Sequence, residues 1–115
     1  MCGRYSADLR WDDIAKLYDL ALQGPRPPWN FPPNYNVCPT DPVGVIVPNF
    51  DRREFVSMRW GLVPAWWSKP LNELRLATFN ARAETVREKP FFKNAFKRSR
   101  CLIPASGYYE WHDTS

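Results

Sequence analysis

A chain of 115 residues with 44% hydrophobic and 24% charged residues is sized and composed for one soluble domain around one core. No apolar run approaches the roughly 20 residues of a membrane span, and Asp8, Asp12 and Asp13 stand where the apolar segment of a signal peptide would be, so the cytoplasm is the expected location. Cys2, Cys38 and Cys101 are odd in number and widely spaced, which argues against a disulfide framework or a zinc site; no metal or cofactor is expected.

The chain opens Met1-Cys2-Gly3-Arg4. Loss of Met1, plausible before a side chain as small as cysteine, would leave Cys2 with a free α-amine beside its thiol. The amine, with a pKa near roughly 8, is partly neutral at pH 7, and the thiolate is a strong nucleophile. Such a pair attacks an aldehyde twice, first as an imine and then by ring closure to a thiazolidine. Gly3 permits close backbone approach to a partner. Arg4 supplies a permanent cation that could lower the thiol pKa and hold a phosphate. Cys2 reads equally well as an ordinary strand residue.

Leu9 to Leu22 has the spacing of an amphipathic helix, with Trp11, Ile14, Ala15, Tyr18, Ala21 and Leu22 on one face. Ser6 or Asp8 would cap it and Gly24-Pro25 would stop it. Five prolines between Gly24 and Asn34 predict an extended loop. Asn34 to Pro39 reads as a turn entering a sheet, with Pro39 ending or edging the strand. Val43 to Val47 and Glu54 to Trp60 read as the two strands of a hairpin, turning at Pro48-Asn49-Phe50-Asp51.

Gly61 and Pro64 break that second strand, and the adjacent Trp66 and Trp67 cannot both face one core. At least one is expected at the surface, where it could stack on a base or wedge a duplex; both filling gaps under a loop is the plain alternative. Phe79 to Thr85 reads as a strand carrying Asn80, Arg82 and Glu84 on one face, able to hold a sugar-phosphate, although any solvent-facing strand alternates in this way. Phe91 to Arg98 reads as a short basic helix with Phe92 and Phe96 inward. Cys101–Pro104 and Gly107–Trp111 read as strands. Glu110, flanked by aromatics, is expected to be desolvated and to serve as an acid or base, or else to sit on the strand's outer face.

The net charge is +4, and it is unevenly placed. Arg82 to Arg100 holds seven basic and two acidic residues, a local +5, against −1 for the remainder. Such a segment suits a polyanion, nucleic acid above all, or forms a solvated helix face.

Cys2-Gly3-Arg4, Tyr35-Asn36-Val37 with Pro39, Arg59-Trp60-Gly61-Leu62-Val63-Pro64 with Trp66-Trp67, Asn80-Ala81-Arg82 with Glu84-Thr85, and Gly107-Tyr108-Tyr109-Glu110-Trp111 occur in this order. Together they resemble the SOS response-associated peptidase (SRAP) domain, from Cys2 to Trp111. The resemblance implies an α+β fold, with a mixed, mainly antiparallel, curved, barrel-like sheet and flanking helices. Residues 1–115 would form a single domain truncated at its C-terminus, its N-terminal half. It implies a protein that senses and shields abasic sites in single-stranded DNA through a covalent thiazolidine crosslink, with autopeptidase removal of whatever precedes the cysteine.

In that scheme Cys2 is the nucleophile, Asn80 holds the opened sugar and Glu110 manages protons. Arg4 and Arg82 hold phosphates, and Trp66 and Trp67 form the stacking wedge. The family's histidine, in a His-x-Arg-x-Pro motif, has no counterpart here. His112 stands in a different motif and receives no role. The alternative reading is a module that binds single-stranded or modified DNA without covalent chemistry. A peptidase acting on other proteins would need a base near Cys2 and a peptide groove, neither of which the sequence shows clearly.

Overall fold

The computed structural model describes residues 2–17, 32–74 and 78–112. Over these residues the fold is α+β: two antiparallel sheets and few helices. The first sheet has the order β2-β1-β5, from Asn34–Val37, Arg4–Ala7 and Gly107–Tyr109. The second is the hairpin of β3, Pro42–Asn49, and β4, Arg52–Arg59. The two remain separate sheets, with no closed barrel among the described residues.

The hairpin forms where alternation and β-branching predict it, and it is longer than predicted. Its ladder runs unbroken from Pro42↔Arg59 to Asn49↔Arg52, so the loop is only Phe50-Asp51. Two-residue hairpin loops need positive φ, and Phe50 supplies it at 55° with its ring fully exposed. Beyond the other end, Thr40 N–H donates to Trp60 O at 2.8 Å and Trp60 N–H to Asp41 O at 2.9 Å, which carries the pairing one step further.

Both faces of the hairpin are covered. Val43 and Val45 pack with Tyr5 and Val37 on one side, joined by the half-buried Trp60. Ile46 and Phe55 pack with Ile14 and Ala15 of the helix on the other. This is why Val43–Val47 reads as a nearly continuous apolar run: a strand buried on both sides has no polar face. Each such side chain contributes about 1.5–3 kcal/mol on burial.

The first helix, α1, runs Trp11–Leu17. It starts two residues later than the periodicity suggested. Ser6 does not cap it: Ser6 lies in β1, and its hydroxyl is 3.0 Å from Ser106 Oγ, linking β1 to the segment before β5. Ile14 and Ala15 are buried as expected. Tyr18, Ala21, Leu22, the Gly24-Pro25 stop and the proline-rich loop to residue 31 lie outside the described residues, as does the side chain of Trp11.

Three predicted strands change. Phe79–Thr85 is not a strand: Thr85 and Val86 donate to Arg82 O, and Glu88 and Lys89 to Thr85 O, which makes helical turns. The shared strand face of Asn80, Arg82 and Glu84 therefore does not exist. Cys101–Pro104 contributes only a single bridge, Ile46↔Leu102. The last strand, β5, stops at Tyr109, short of Glu110 and Trp111. A second short helix, α2, spans Lys93–Arg98, with Phe92 and Phe96 half-buried. Among the described residues, no helix is long and apolar enough to cross a membrane.

Candidate active site and nucleic-acid interface

The N-terminal residues enter the sheet through β1, the central strand of its three. Antiparallel pairing sets Arg4 opposite Tyr109 and Tyr5 opposite both Tyr108 and Val37. Alternation sends the Tyr5 ring into the core and leaves Arg4 exposed. Cys2 lies just before the strand, half-buried, with its Sγ 3.4 Å from Arg4 O.

Asn80 reaches Cys2 from the far side of the chain. Its Nδ2 donates to Cys2 O at 2.6 Å. What holds Asn80 there is Trp60. The Trp60 indole packs edge-on against Tyr5 at 5.2 Å and against Phe79 at 6.0 Å. Its Nε1 donates to Phe79 O at 3.4 Å, and Leu62 N–H donates to Thr78 O at 3.0 Å. Residues 78 and 79 are thus pinned to the end of the hairpin, and residue 80 falls beside residue 2. Gly61 makes the bend, at φ +129°, a conformation that L side chains rarely adopt.

Tyr5, beneath this point, keeps its phenolic proton. Its pKa is pushed up to about 12, by burial first and then by the charges of Asp41 and Cys2. The Tyr5 ring is therefore neutral at ordinary pH.

On the open side of Gly3 and Arg4 lies a groove of about 690 Å³ walled by Tyr35, Asn36, Tyr109, Glu110 and Trp111. That size falls in the roughly 300–1,000 Å³ range of small-ligand clefts. Arg4 Nη1 donates to Asn36 Oδ1 at 3.2 Å, which steers the guanidinium along the groove. The Tyr109 hydroxyl reaches across β1 to Tyr35 O at 2.8 Å and forms one wall. Glu110 lines this groove but is exposed. The desolvation expected from its aromatic neighbours is absent, because residues adjacent in an extended chain point apart and do not cover it.

The structure thus brings Cys2 and Asn80 together, and sets Arg4 and Glu110 on one groove. Arg82, Trp66 and Trp67 do not line that groove. Arg82 is exposed at the start of the helical turns. Trp66 is 59% exposed, as expected of at least one of the pair, and packs edge-on against Phe91 at 5.7 Å. Trp67 is half-buried, 6.4 Å from Trp66 between centroids. Tyr35, Asn36 and Tyr109 were not marked as site residues by sequence reasoning. Pairing β1 with both β2 and β5 would have found them, since it ranges the outward side chains of three strands around Arg4.

Among the described residues, no group of three or more His, Cys, Asp or Glu is placed to hold a metal ion. The arrangement offers a thiol, a carbonyl-anchoring amide, a guanidinium and a carboxylate around one end of the chain.

The profile of the SOS response associated peptidase (SRAP) family matches residues 1–115. The abasic site processing protein YoaM of Bacillus subtilis is 35% identical over 111 residues, covering 96% of this chain and 47% of that protein. The abasic site processing protein HMCES of Xenopus tropicalis is 35% identical over 130 residues, covering 96% of this chain and 39% of its own length. HMCES of Rattus norvegicus is 38% identical over 129 residues, again 96% of this chain and 36% of its own length. The chain therefore spans about half or less of the length of these curated relatives.

Proposed function

This chain belongs to the SOS response associated peptidase family, and from that premise we propose that it processes abasic sites in single-stranded DNA by a covalent crosslink through Cys2. The observation that carries the reading is the 2.6 Å bond from Asn80 Nδ2 to Cys2 O. It ties down Cys2 next to Gly3 and Arg4, which line a groove together with Glu110. The relatives named for abasic site processing supply the substrate class.

The chemistry runs as follows. Removal of Met1, the associated peptidase step, frees the Cys2 amine. The amine adds to the aldehyde carbon of the ring-opened sugar and water leaves, giving an imine. The thiol sulfur adds to the same carbon, its proton passes to the imine nitrogen, and a thiazolidine closes. Hydrolysis of the Met1–Cys2 bond consumes one water and the condensation releases one, and no oxidant or reductant is used. Glu110, exposed to solvent and beside Gly3, takes and returns the amine's protons. Asn80 holds the Cys2 carbonyl and orients the amine and thiol toward the sugar. Arg4 and Arg82 hold flanking phosphates, and Trp66 with Trp67 stacks on the neighbouring bases. The two antiparallel sheets are arcs of the family's curved, barrel-like sheet, and residues 1–115 are the N-terminal half of that single domain.

The test is a denaturing gel of the protein with an abasic single-stranded oligonucleotide, with and without reductant. The unaltered chain should give a heat-stable adduct without reductant. Cys2→Ser keeps the amine, so its adduct should appear only when reductant traps the imine. Acetylation of the Cys2 α-amine, a block that the peptidase step does not remove, should abolish the adduct. Glu110→Gln should slow it while DNA binding persists. A heat-stable adduct from the N-terminally blocked chain would sink the mechanism, and non-covalent DNA binding would then be the better account.

A further inference from the structure

A second concentration of charge lies outside the groove at Cys2. The turn carrying Arg87 and the helix α2 enclose an open concavity of about 560 Å³, lined by Arg87, Lys93, Asn94, Phe96, Lys97 and Arg100. Four of these six are cations and none is acidic. Among the described residues, no carboxylate pairs with any of the four.

The cations are arranged and not merely numerous. The Arg100 guanidinium lies over the Phe96 ring, 4.1 Å from its centroid, and Arg100 Nε donates to Phe96 O at 2.7 Å. The Arg87 guanidinium stands 5.8 Å from the same centroid. One aromatic ring thus positions two guanidinium groups. The Nε bond uses one of the five N–H donors of Arg100 and leaves the terminal ones for an oxygen acceptor. Holding the plane in advance lowers the ordering cost of binding. Lys93 and Lys97 stand one helical turn apart, a like-charge spacing that weakens a helix by itself. An anion in the concavity relieves that repulsion.

The shape selects the anion. The site is open, with its four charges spread over α2 and the segments on either side of it. A row of phosphodiesters fits this better than one small ion, which would want convergent donors. The surface is also continuous with an exposed stacking residue. Trp66 packs on Phe91, Phe91 on Phe92 at 5.7 Å, and Phe92 is the N-terminal flank of α2.

We infer that the α2 concavity is a second, non-covalent DNA-backbone site, which holds phosphates of the strand flanking the nucleotide that reaches Cys2. This rests on the reading of single-stranded DNA as the substrate. Its contacts go to phosphate, so they set position and affinity without reading sequence.

The experiment is a salt titration of affinity for an unmodified single-stranded oligothymidylate, with adduct formation on an abasic oligonucleotide scored on the same preparations. The double change Lys93→Gln/Lys97→Gln should flatten the log–log salt slope by about 1.4, at roughly 0.7 per phosphate contact. Lys93→Arg/Lys97→Arg should restore the slope, which separates charge from folding. Lys16→Gln/Arg52→Gln removes the same charge from exposed positions on α1 and the hairpin, and should leave the slope unchanged. An unaltered slope in the α2 double variant, or an equal loss in the control, would show a solvated face and overturn the inference. Absence of any adduct from the unaltered chain, with the α2 slope change present, would overturn the covalent reading and leave this one standing. No DNA binding by the unaltered chain would overturn both.

Discussion

The hairpin of β3 and β4 and the segment from Trp60 to Arg100 are held together by different physics. The hairpin is a complete backbone ladder with an apolar cluster on each face. In the described part of the later segment, a three-residue helical turn at Leu71–Glu73 and α2 are the helices and no strand forms. It is fastened by rings and side chains: Trp60 on Phe79, Trp66 on Phe91, and two guanidinium groups near Phe96. The first region is a scaffold that other elements build on. The second carries Asn80, Arg82 and the exposed Trp66, and it is fastened to the first at Trp60, by the indole and by backbone bonds with Thr40 and Asp41. Backbone pairing and side-chain fastening are thereby divided between two stretches of one chain.

The largest test of this division is Ile46→Ala. Ile46 is 3% exposed, packs against α1, and shares a backbone bridge with Leu102. Its truncation should cost about 2–5 kcal/mol in chemical denaturation. A loss below about 1 kcal/mol would mean that the hairpin is not the scaffold.

Gly61→Ala probes the mounting point. An added Cβ would come 2.9 Å from Arg59 Nη1, the far end of a flexible side chain that can move aside at the expense of its 3.5 Å bond to Gly61 O. The positive φ cannot be relieved so easily, so a cost of about 1–3 kcal/mol is expected. Adduct formation should fall with it, because Asn80 is placed through this bend. Unchanged crosslinking at full stability loss would uncouple the two regions.

Tyr5 sharpens the comparison through pH. Its folded pKa of about 12 lies above the ordinary value of 10. The folded state therefore holds the proton more tightly. The stabilisation is fully present below pH 10 and is lost as pH rises from 10 to 12, a total of about 1–3 kcal/mol. Tyr5→Phe should lack this alkaline loss in denaturation curves taken across that window. The same loss in both proteins would assign it to another group.

The smallest effect on folding is expected at Trp66→Ala. The edge-on contact with Phe91 is worth about 0.5–1.5 kcal/mol beyond area burial, while single-strand affinity should drop by about 1–3 kcal/mol. A stability loss with no binding loss would make Trp66 part of the packing instead.

The same division explains what could be read in advance. Val43–Val47 and Glu54–Trp60 announced themselves because strand alternation and β-branching are local, and a two-residue turn leaves little choice of register. Ile14 and Ala15 were legible for the same reason. Phe79–Thr85 misled because its polar alternation has the period of a strand, whereas the backbone bonds from Thr85 and Val86 return to Arg82. Nothing near Asn80 indicates that a tryptophan 19 residues before Phe79 takes that residue's carbonyl. The five ordered motifs identified the family all the same, and Cys2 with Asn80 does form one cluster. The cradle of Phe96 and two arginines was visible only as a basic stretch, since stacking depends on rotamers and not on spacing.

The central position of β1 has a consequence for synthesis. Residues 4–7 are among the first made, yet one of their two partner strands is residues 107–109, and Asn80 comes 78 residues after Cys2. At about 5–20 residues per second, the ribosome extends the chain for several seconds before these partners exist. Throughout that interval the leading end can pair with β2, residues 34–37, but lacks β5 and Asn80. On the proposed mechanism, arrested nascent chains ending before residue 80 lack Asn80 and Glu110 and should keep Met1, while the finished protein loses it. Equal loss from both would assign that step to a separate aminopeptidase and not to this chain.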